Sequence, residues 1–175
     1  MENNQNKNAE PVRISIILPT NAYFISGIRD FTLAMIKNMT QFSQQWAYRF
    51  QSVVDELCNN AIEHGCEKGK NITVTFVQYN DAIEIIVEDT GTGAKKCNAD
   101  EMRKLIEERT KEGYAFNGIR GRGLSKIVHG WTDELEFSDL QNGGLRVRVK
   151  KILKKEDDSK AKEALADATH VTLNI

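Results

Sequence analysis

Residues 87–96 read VEDTGTGAKK, and this loop decides which fold the rest of the chain can have. It follows the segment AIEIIVE (residues 82–88), whose apolar residues are typical of a buried strand. The tripeptide Asp89-Thr90-Gly91 would suit one half of a pair of catalytic carboxylates. The wider pattern Asp89-x-Gly91-x-Gly93 instead indicates a backbone kept bare for close approach by a nucleotide. The two interpretations require different flanking segments, so those segments must decide between them.

The composition predicts a single globular domain. The chain has 175 residues, 40% of them hydrophobic, which is enough for one core. Its 24 basic and 25 acidic residues give a net charge of -1, which does not favour direct binding to nucleic acid or to an anionic membrane. No signal-peptide pattern is present, and no apolar run approaches the ~18 residues of a membrane span, so we expect a cytoplasmic protein. Three cysteines without C-x-x-C spacing predict reduced thiols.

The order of the apolar patterns predicts an α+β fold. Strands are expected at residues 12–18, 72–79, 82–88, 134–138 and 145–150. Helices are expected at residues 22–39, 45–64, 99–112 and 124–131. The first has apolar residues at helical spacing, namely Phe24, Ile28, Phe31, Met35 and Ile36, and Gly65 is a natural stop for the second. This order predicts a two-layer sandwich, with helices on one face of a mixed, mostly antiparallel β-sheet. We expect residues 1–11 to be a disordered tail and residues 152–175 to extend past the domain of residues 12–151, either packed on it or as a partner-binding arm.

The second helix carries two polar residues beside its apolar stripe. Glu56 and Asn60 lie one turn apart along the edge of the stripe, while Asp55 and Asn59 point nearly the opposite way. Such a pair either looks into a cleft or belongs to the ordinary polar boundary of a buried face. The stripe itself, which should pack on the sheet, consists of Trp46, Phe50, Val53, Leu57 and Ala61.

These residues suit the chemistry of a bound nucleotide. The side-chain carbonyl oxygen of Asn60 is the kind of ligand that Mg²⁺ prefers when it is already bound to a triphosphate. Glu56 could accept a proton from an attacking hydroxyl group or water. Asp89 could accept a hydrogen bond from an adenine amino group, while Gly91 and Gly93 let the base and the ribose approach the backbone.

A second glycine cluster stands immediately before the last predicted helix. Backbone N–H groups at a helix start favour phosphate, and the cluster comprises Gly121, Arg122, Gly123 and Leu124. Arg120 and Arg122 could reach phosphate oxygens or face the solvent. The cluster is weak evidence alone, but it strengthens the nucleotide interpretation of the first loop.

Three motifs together resemble the GHKL ATPase superfamily, the gyrase, heat-shock-90 and histidine-kinase type of nucleotide-binding fold, also called the Bergerat fold. They are ELCNNAIEHG (residues 56–65), EDTGTG (88–93) and GRGLSKI (121–127), in this order and at these separations. The Asn-Ala-x-x-His-Gly end of the helix and the absence of further domains are most similar to the bacterial anti-sigma-factor serine/threonine kinases. The resemblance covers about residues 12–151.

The resemblance implies ATP and Mg²⁺ as cofactors and a role for each motif residue. Asn60 matches the magnesium ligand, Glu56 the general base and Asp89 the residue that recognises adenine. The segment from Ala94 to Arg120 would be a lid over the phosphates. The two glycine boxes of the nucleotide site are matched by Gly91 and Gly93, and by Gly121, Gly123 and Leu124.

The resemblance also implies a function in partner switching. Members of this family phosphorylate a serine or threonine of a small anti-anti-sigma protein of the STAS type, and they hold a sigma factor when that protein is absent or already phosphorylated. A homodimer is implied as well. The alternative is a catalytically silent ATP-binding module that binds a signalling partner without phosphotransfer. Glu56 favours catalysis, because a pure binder needs no base at that position.

Two other interpretations conflict with the sequence. An aspartic protease would require an essentially all-β chain, whereas two long amphipathic helices precede Gly65. An autophosphorylating sensor kinase would require a phosphoacceptor histidine on an upstream dimerisation helix. The histidines of this chain, His64, His129 and His170, are not placed there.

Overall fold

The computed structural model of the chain describes residues 10–21, 23–111 and 123–154. The rest of the predicted tail (residues 1–9), residues 112–122 with the expected phosphate ligands Arg120, Gly121 and Arg122, and the segment 155–175 lie outside the described residues. The strands are β1 (Val12–Pro19), β2 (Asn71–Gln78), β3 (Ala82–Glu88), β4 (Glu134–Asp139) and β5 (Leu145–Ile152). The helices are α1 (Tyr23–Met39), α2 (Gln44–Asn60), α3 (Ala99–Thr110) and the single turn α4 (His129–Trp131).

Two further helical segments have π-helical geometry. Residues Ala61–Gly65 continue α2, and residues Gly123–Val128 lead into α4. We call them the first and second π-helical segments. Within the ranges that the structure covers, no helix is both long enough and apolar enough to cross a membrane.

The strands form one sheet in the order β1-β2-β3-β5-β4. Every pairing between the described strands is antiparallel. The predicted α+β sandwich is therefore confirmed, but its sheet is antiparallel rather than mixed in this part of the chain. The reason is that the β4–β5 hairpin joins the sheet through its second strand, so that β5 runs opposite to β3.

The stripe on α2 packs on the sheet as predicted, because all five of its residues are buried. The helix starts at an N-cap, Ser43, whose hydroxyl accepts the N–H of Trp46 at 3.3 Å. From the sheet, the inward-facing residues of the two central strands complete the core; they are Ile72, Val74, Phe76, Ile83, Ile85 and Val87.

One predicted contact of α1 is wrong. Its periodicity placed Phe24 on the apolar stripe, but the side chain of Phe24 is 41% exposed and its neighbour Ile25 is buried instead. Phe24 lies on the outside of the first helical turn, where its ring meets that of Tyr23 edge to face with centroids 5.6 Å apart. Further along the helix Ile28, Met35 and Ile36 are buried as expected, so the error is confined to the helix start.

The face of the sheet away from the helices carries an ion-pair network centred on Arg148. This guanidinium group donates hydrogen bonds to the carboxylates of Glu84 and, at 2.8 Å, Glu134. Lys150 lies 3.8 Å from the same carboxylate of Glu84, which is only 6% exposed. Burial alone would raise the pKa of Glu84, but the hydrogen bond and charge of Arg148 outweigh burial and hold this pKa below its ordinary value.

We predict that Arg148→Ala lowers the free energy of unfolding by about 2 kcal/mol at pH 7, because the buried carboxylate of Glu84 loses its guanidinium partner and keeps only Lys150 and the Tyr79 hydroxyl beside it. A lowered pKa means that the ion pair stabilises the folded chain fully at neutral pH, and that this contribution is lost as acid protonates Glu84. The difference from wild type should therefore shrink below about pH 4. Urea unfolding over a pH series measures this.

The matched control is Arg146→Ala on the same strand and face. Arg146 pairs with Glu88, but its side chain is 47% exposed. We expect this variant to lose less than about 1 kcal/mol. Equal losses in the two variants would contradict the special position of Arg148.

Candidate functional site

The carboxylate of Asp89 is fixed where three parts of the chain meet. Asp89 follows β3, and its Oδ1 atom accepts the N–H of Gly91 at 2.8 Å and the N–H of Leu145, at the start of β5, at 3.0 Å. The backbone N–H of Asp89 in turn donates to the carbonyl of Leu145 at 3.1 Å. The residue is 9% exposed. One carboxylate oxygen is thus committed to the protein, and Oδ2 is the oxygen that remains to accept a hydrogen bond from a ligand.

The pKa of Asp89 reflects this environment. Burial raises it above the ordinary value for an aspartate, and the two backbone hydrogen bonds only partly offset that effect. The ionised form therefore opposes folding. Such a placement is typical of a functional carboxylate rather than a stabilising one.

Glycines leave room for this carboxylate. A Cβ atom on Gly65, the last residue of the first π-helical segment, would lie 2.1 Å from Oδ2 of Asp89. A Cβ atom on Gly144 would lie 2.1 Å from the carbonyl oxygen of Asp89. Gly91 has φ +64°, and a side chain there would meet the carbonyl of Gly143 at 1.8 Å. Gly65 was predicted as a helix stop. Because it has no side chain, it also allows the first π-helical segment to contact Asp89.

The loop after Asp89 is held against the end of α2. Gly93 donates its N–H to the carbonyl of Gly65 at 3.2 Å, and a Cβ atom at Gly93 would lie 2.1 Å from the carbonyl oxygen of His64. The Thr90 hydroxyl donates to the Cys66 sulfur at 3.3 Å. Gly91 and Gly93 therefore allow close packing of protein backbone on either side of the loop. The approach of a base and a ribose to these two glycines stays a prediction.

Glu56 and Asn60 form a hydrogen-bonded pair on the same side of the helix as the cavity. The Asn60 Nδ2 atom donates to Glu56 Oε1 at 2.8 Å. The amide is oriented by this bond, so its carbonyl oxygen is the atom that a hard cation could use. Both side chains are half-buried. The sequence allowed two interpretations of Glu56 and Asn60: residues that face a cleft, or an ordinary polar boundary of a buried face. The structure supports the first interpretation.

Gly123 lies against the carboxylate of Glu56. A Cβ atom on Gly123 would be 1.9 Å from the Cδ atom of Glu56, so only glycine leaves the carboxylate in its present place. The second glycine cluster is therefore in contact with Glu56, the residue of α2 that was predicted to be the base. Leu124 beside it is buried.

One cavity of about 800 Å³ joins these residues. Its size falls within the range of small-molecule and cofactor sites. The predicted residues that line it are Glu56, Asn60, Asp89, Gly123 and Leu124. Gly91 and Gly93 do not line it, and Arg120, Gly121 and Arg122 lie outside the described residues.

The described part of the predicted lid, residues 94–111, contributes one wall of the cavity, although sequence reasoning named none of its side chains. Met102, Leu105 and Arg109 of α3 line it together with Lys95, and so does Asn59, which was expected to point away. The spacing 102, 105 and 109 is helical and could have identified this face of α3, but the many charges of the helix concealed it. The cavity thus has a mixed lining: apolar side chains for a flat ring system and polar groups at fixed places.

The residues present suit ATP with magnesium. A buried carboxylate with one oxygen free for a ligand suits an amino donor, and the oriented amide of Asn60 suits a hard cation. The glycines at positions 65 and 123 keep space that a Cβ atom would fill.

Comparison with known families agrees with this chemistry. Residues 18–151 match the family model of the histidine kinase-like ATPase domain. The chain belongs to this family. The family inferred from the three motifs is thereby confirmed.

Similar proteins include the serine-protein kinase RsbW of Bacillus cereus strain AH187, which is 29% identical over 151 residues, 82% of this chain and 87% of that protein. The serine-protein kinase RsbW of Halalkalibacterium halodurans is 28% identical over 82 residues, 47% of this chain and 50% of that protein. Among solved structures, the histidine kinase domain of the E. coli osmosensor EnvZ aligns with a TM-score of 0.44 and 17% identity, over 87% of this chain and 96% of that one.

We predict that Asp89→Asn lowers ATP affinity by about 100-fold or more, because the amide would present a donor where the carboxylate presents an acceptor. The unliganded protein should be no less stable at pH 7. A raised pKa means that ionised Asp89 opposes folding, and this penalty grows as pH rises through that pKa; asparagine removes it while keeping an oxygen for Gly91 and Leu145. Calorimetric titration and urea unfolding measure the two effects.

Asp81→Asn is the control, since it makes the same charge change in the turn before β3, at the other end of that strand. Its ATP affinity should equal that of wild type. An unchanged affinity in Asp89→Asn would refute the assignment of Asp89 to adenine.

Proposed function

We propose that this chain is an ATP-dependent serine/threonine protein kinase of the anti-sigma-factor type, acting in the cytoplasm. The observation that carries the proposal is that Asp89, Asn60 and Glu56 line the same cavity. The serine-protein kinases to which the chain is similar support the choice of phosphoacceptor.

Each of the three residues has a separate task in this proposal. Asp89 accepts a hydrogen bond from the adenine amino group, Asn60 supplies a carbonyl oxygen to magnesium, and Glu56 accepts the proton of the attacking serine or threonine hydroxyl. Bound ATP supplies the phosphoryl group, and magnesium neutralises its charge. The base must be close to the metal ligand, and the hydrogen bond between Asn60 and Glu56 provides this.

The partners in this proposal are an anti-anti-sigma protein, which receives the phosphate, and a sigma factor, which is held when the first partner is absent or phosphorylated. A homodimer also stays a prediction. The edge strand β1 suits one, because it exposes the apolar side chains of Val12 (46%) and Ile17 (67%). Its outer edge pairs with no other strand among the described residues, and a second copy could pair there.

Glu56→Gln should bind ATP as wild type does and transfer no detectable phosphate. The glutamine keeps an oxygen for the Asn60 bond but cannot accept the proton. The measurement is transfer from γ-labelled ATP to proteins of a native lysate, followed by identification of the labelled protein and residue. Wild-type protein should label one small protein on serine or threonine.

Transfer at the wild-type rate by Glu56→Gln would show that Glu56 is not the base. Tight ATP binding by wild type without any labelled protein would instead support a silent ATP-binding module.

Gly123→Ala should reduce phosphate transfer by about 10-fold or more while the protein stays folded. The three atoms nearest to the new methyl group all belong to the carboxylate of the flexible Glu56 side chain, which can move away, but the base then leaves its position beside Asn60. Gly130→Ala is the matched control, since nothing lies within 4 Å of a Cβ atom there. Equal transfer rates in the two variants would contradict a role for Gly123 in placing Glu56.

A further inference from the structure

The outer edge of β4 pairs with no other strand in the part of the chain that the structure describes. At the turn end of the β4–β5 hairpin, the N–H of Leu140 donates to the carbonyl of Gly144 at 2.8 Å. Hydrogen-bonded positions alternate along an antiparallel pair, so Leu135 and Phe137 direct their N–H and C=O groups away from β5. Arg103 of α3 donates to the Phe137 carbonyl oxygen at 2.7 Å, which agrees with this direction. The backbone of β4 is therefore oriented to pair with a further strand.

A groove of about 520 Å³ runs along this edge, between α3 and β4. We call it the α3–β4 groove; it is lined by Arg103, Ile106 and Glu107 and by residues 132–138. Its apolar side consists of Ile106, Leu135 and Phe137, which pack against the core. The alternate residues of β4 lie on the other face of the sheet, in the network around Arg148. A strand that extends the sheet here should be apolar on one face and polar on the other.

The described chain ends beside this groove. After β5, the N–H of Ile152 donates to Oδ2 of Asp133 at 2.7 Å, and Lys154 Nζ lies 2.6 Å from Oδ1 of the same carboxylate. The N–H of Leu153 donates to the carbonyl of Asp81 at 2.7 Å. Asp133 lines the groove and immediately precedes β4. The chain is thus held at the start of β4 where it leaves the described residues.

The segment that follows contains a sequence with the required pattern. Residues 171–175 read VTLNI, in which apolar and uncharged polar residues alternate strictly. This period of two is typical of a strand with one buried face, and two of the three apolar residues, Val171 and Ile175, are β-branched. Such a strand matches the alternation of β4 itself.

The connection is long enough for this segment to return to β4. Sixteen residues, 155–170, separate Lys154 from Val171. β4 has six residues and is therefore about 20 Å long. Even in the compact form of a helix, sixteen residues span about 24 Å. The segment can therefore reach either end of β4.

We propose that residues 171–175 form a further strand on the outer edge of β4 and fill the α3–β4 groove. The apolar residues of this strand face α3, and its polar residues face the side of the sheet that carries the Arg148 network. α3 then has the strand on one side and the nucleotide cavity on the other. The inference does not depend on the proposed kinase activity. It assigns the C-terminal extension to the domain, where the sequence also allowed a partner-binding arm.

The test is amide hydrogen exchange of the purified full chain, followed by NMR. The N–H groups of Leu135 and Phe137 should exchange at least about 10-fold faster in Leu173→Glu than in wild type, because a glutamate does not enter an apolar groove and the strand leaves the edge. The amides of Val74 and Ile85, on the central strands, should exchange at the wild-type rate. They report on the stability of the whole fold.

Thr172→Glu is the matched control, since it places the same charge on the neighbouring residue, on the polar face of the proposed strand. Its exchange at Leu135 and Phe137 should stay within about 2-fold of wild type. Should Leu173→Glu also accelerate exchange at Val74, Leu173→Ala takes its place, because it removes less apolar surface and adds no charge.

The other outcomes overturn the inference, and they identify what occupies the groove instead. Fast exchange at Leu135 and Phe137 in the wild-type chain would leave the edge open for a partner protein. Slow exchange that persists in both Leu173 variants would show that α3 alone covers the edge. Protection that increases with protein concentration would identify a second copy of the chain. Equal effects of Leu173→Glu and Thr172→Glu would contradict the two-faced strand.

Discussion

The carboxylate of Asp89 is the point on which the site depends. Its Oδ1 atom accepts backbone N–H groups from Gly91 and Leu145, which belong to the loop after β3 and to the start of β5. These two bonds join the end of β3 to the start of β5 and leave Oδ2 as the carboxylate oxygen available to a ligand. They also offset part of the free energy that burying a charge requires. The protein thus keeps a carboxylate that opposes folding at the one place where an amino group of a ligand could compensate for it.

Close backbone packing around this carboxylate explains why three separate segments of the chain are rich in glycine. Gly65 ends the helical wall, Gly91 belongs to the loop, and Gly144 belongs to the β4–β5 turn. In each case an added Cβ atom would overlap an atom of Asp89 or of a neighbouring glycine. Gly123 plays the same part elsewhere in the cavity, where it lies against Glu56. At both places a carboxylate packs on a backbone that carries no side chain.

The local patterns predicted much of this arrangement. The stripe from Trp46 to Ala61 is buried, and Glu56 and Asn60 beside it face the cavity, because helical spacing alone places residues four apart on one side. The predicted burial of Phe24 was wrong, because periodicity cannot tell which residue of the first helical turn lies over the core. Leu145 could not be found in this way either. It acts through its backbone N–H, which carries no side-chain signature.

The sequence by itself determined the class of fold, the family and five of the residues that line the cavity, because each is encoded in a short segment whose spacing is fixed by helix or strand geometry. Only the tertiary structure decided the wholly antiparallel pairing of the described strands, the dual use of Gly65 and the choice of α3 side chains that line the cavity. These depend on which segments meet across the sheet, where β5 rather than β4 lies beside β3. Contacts between residues as distant as Asp89 and Leu145 arise from packing the whole chain, and no local pattern specifies them.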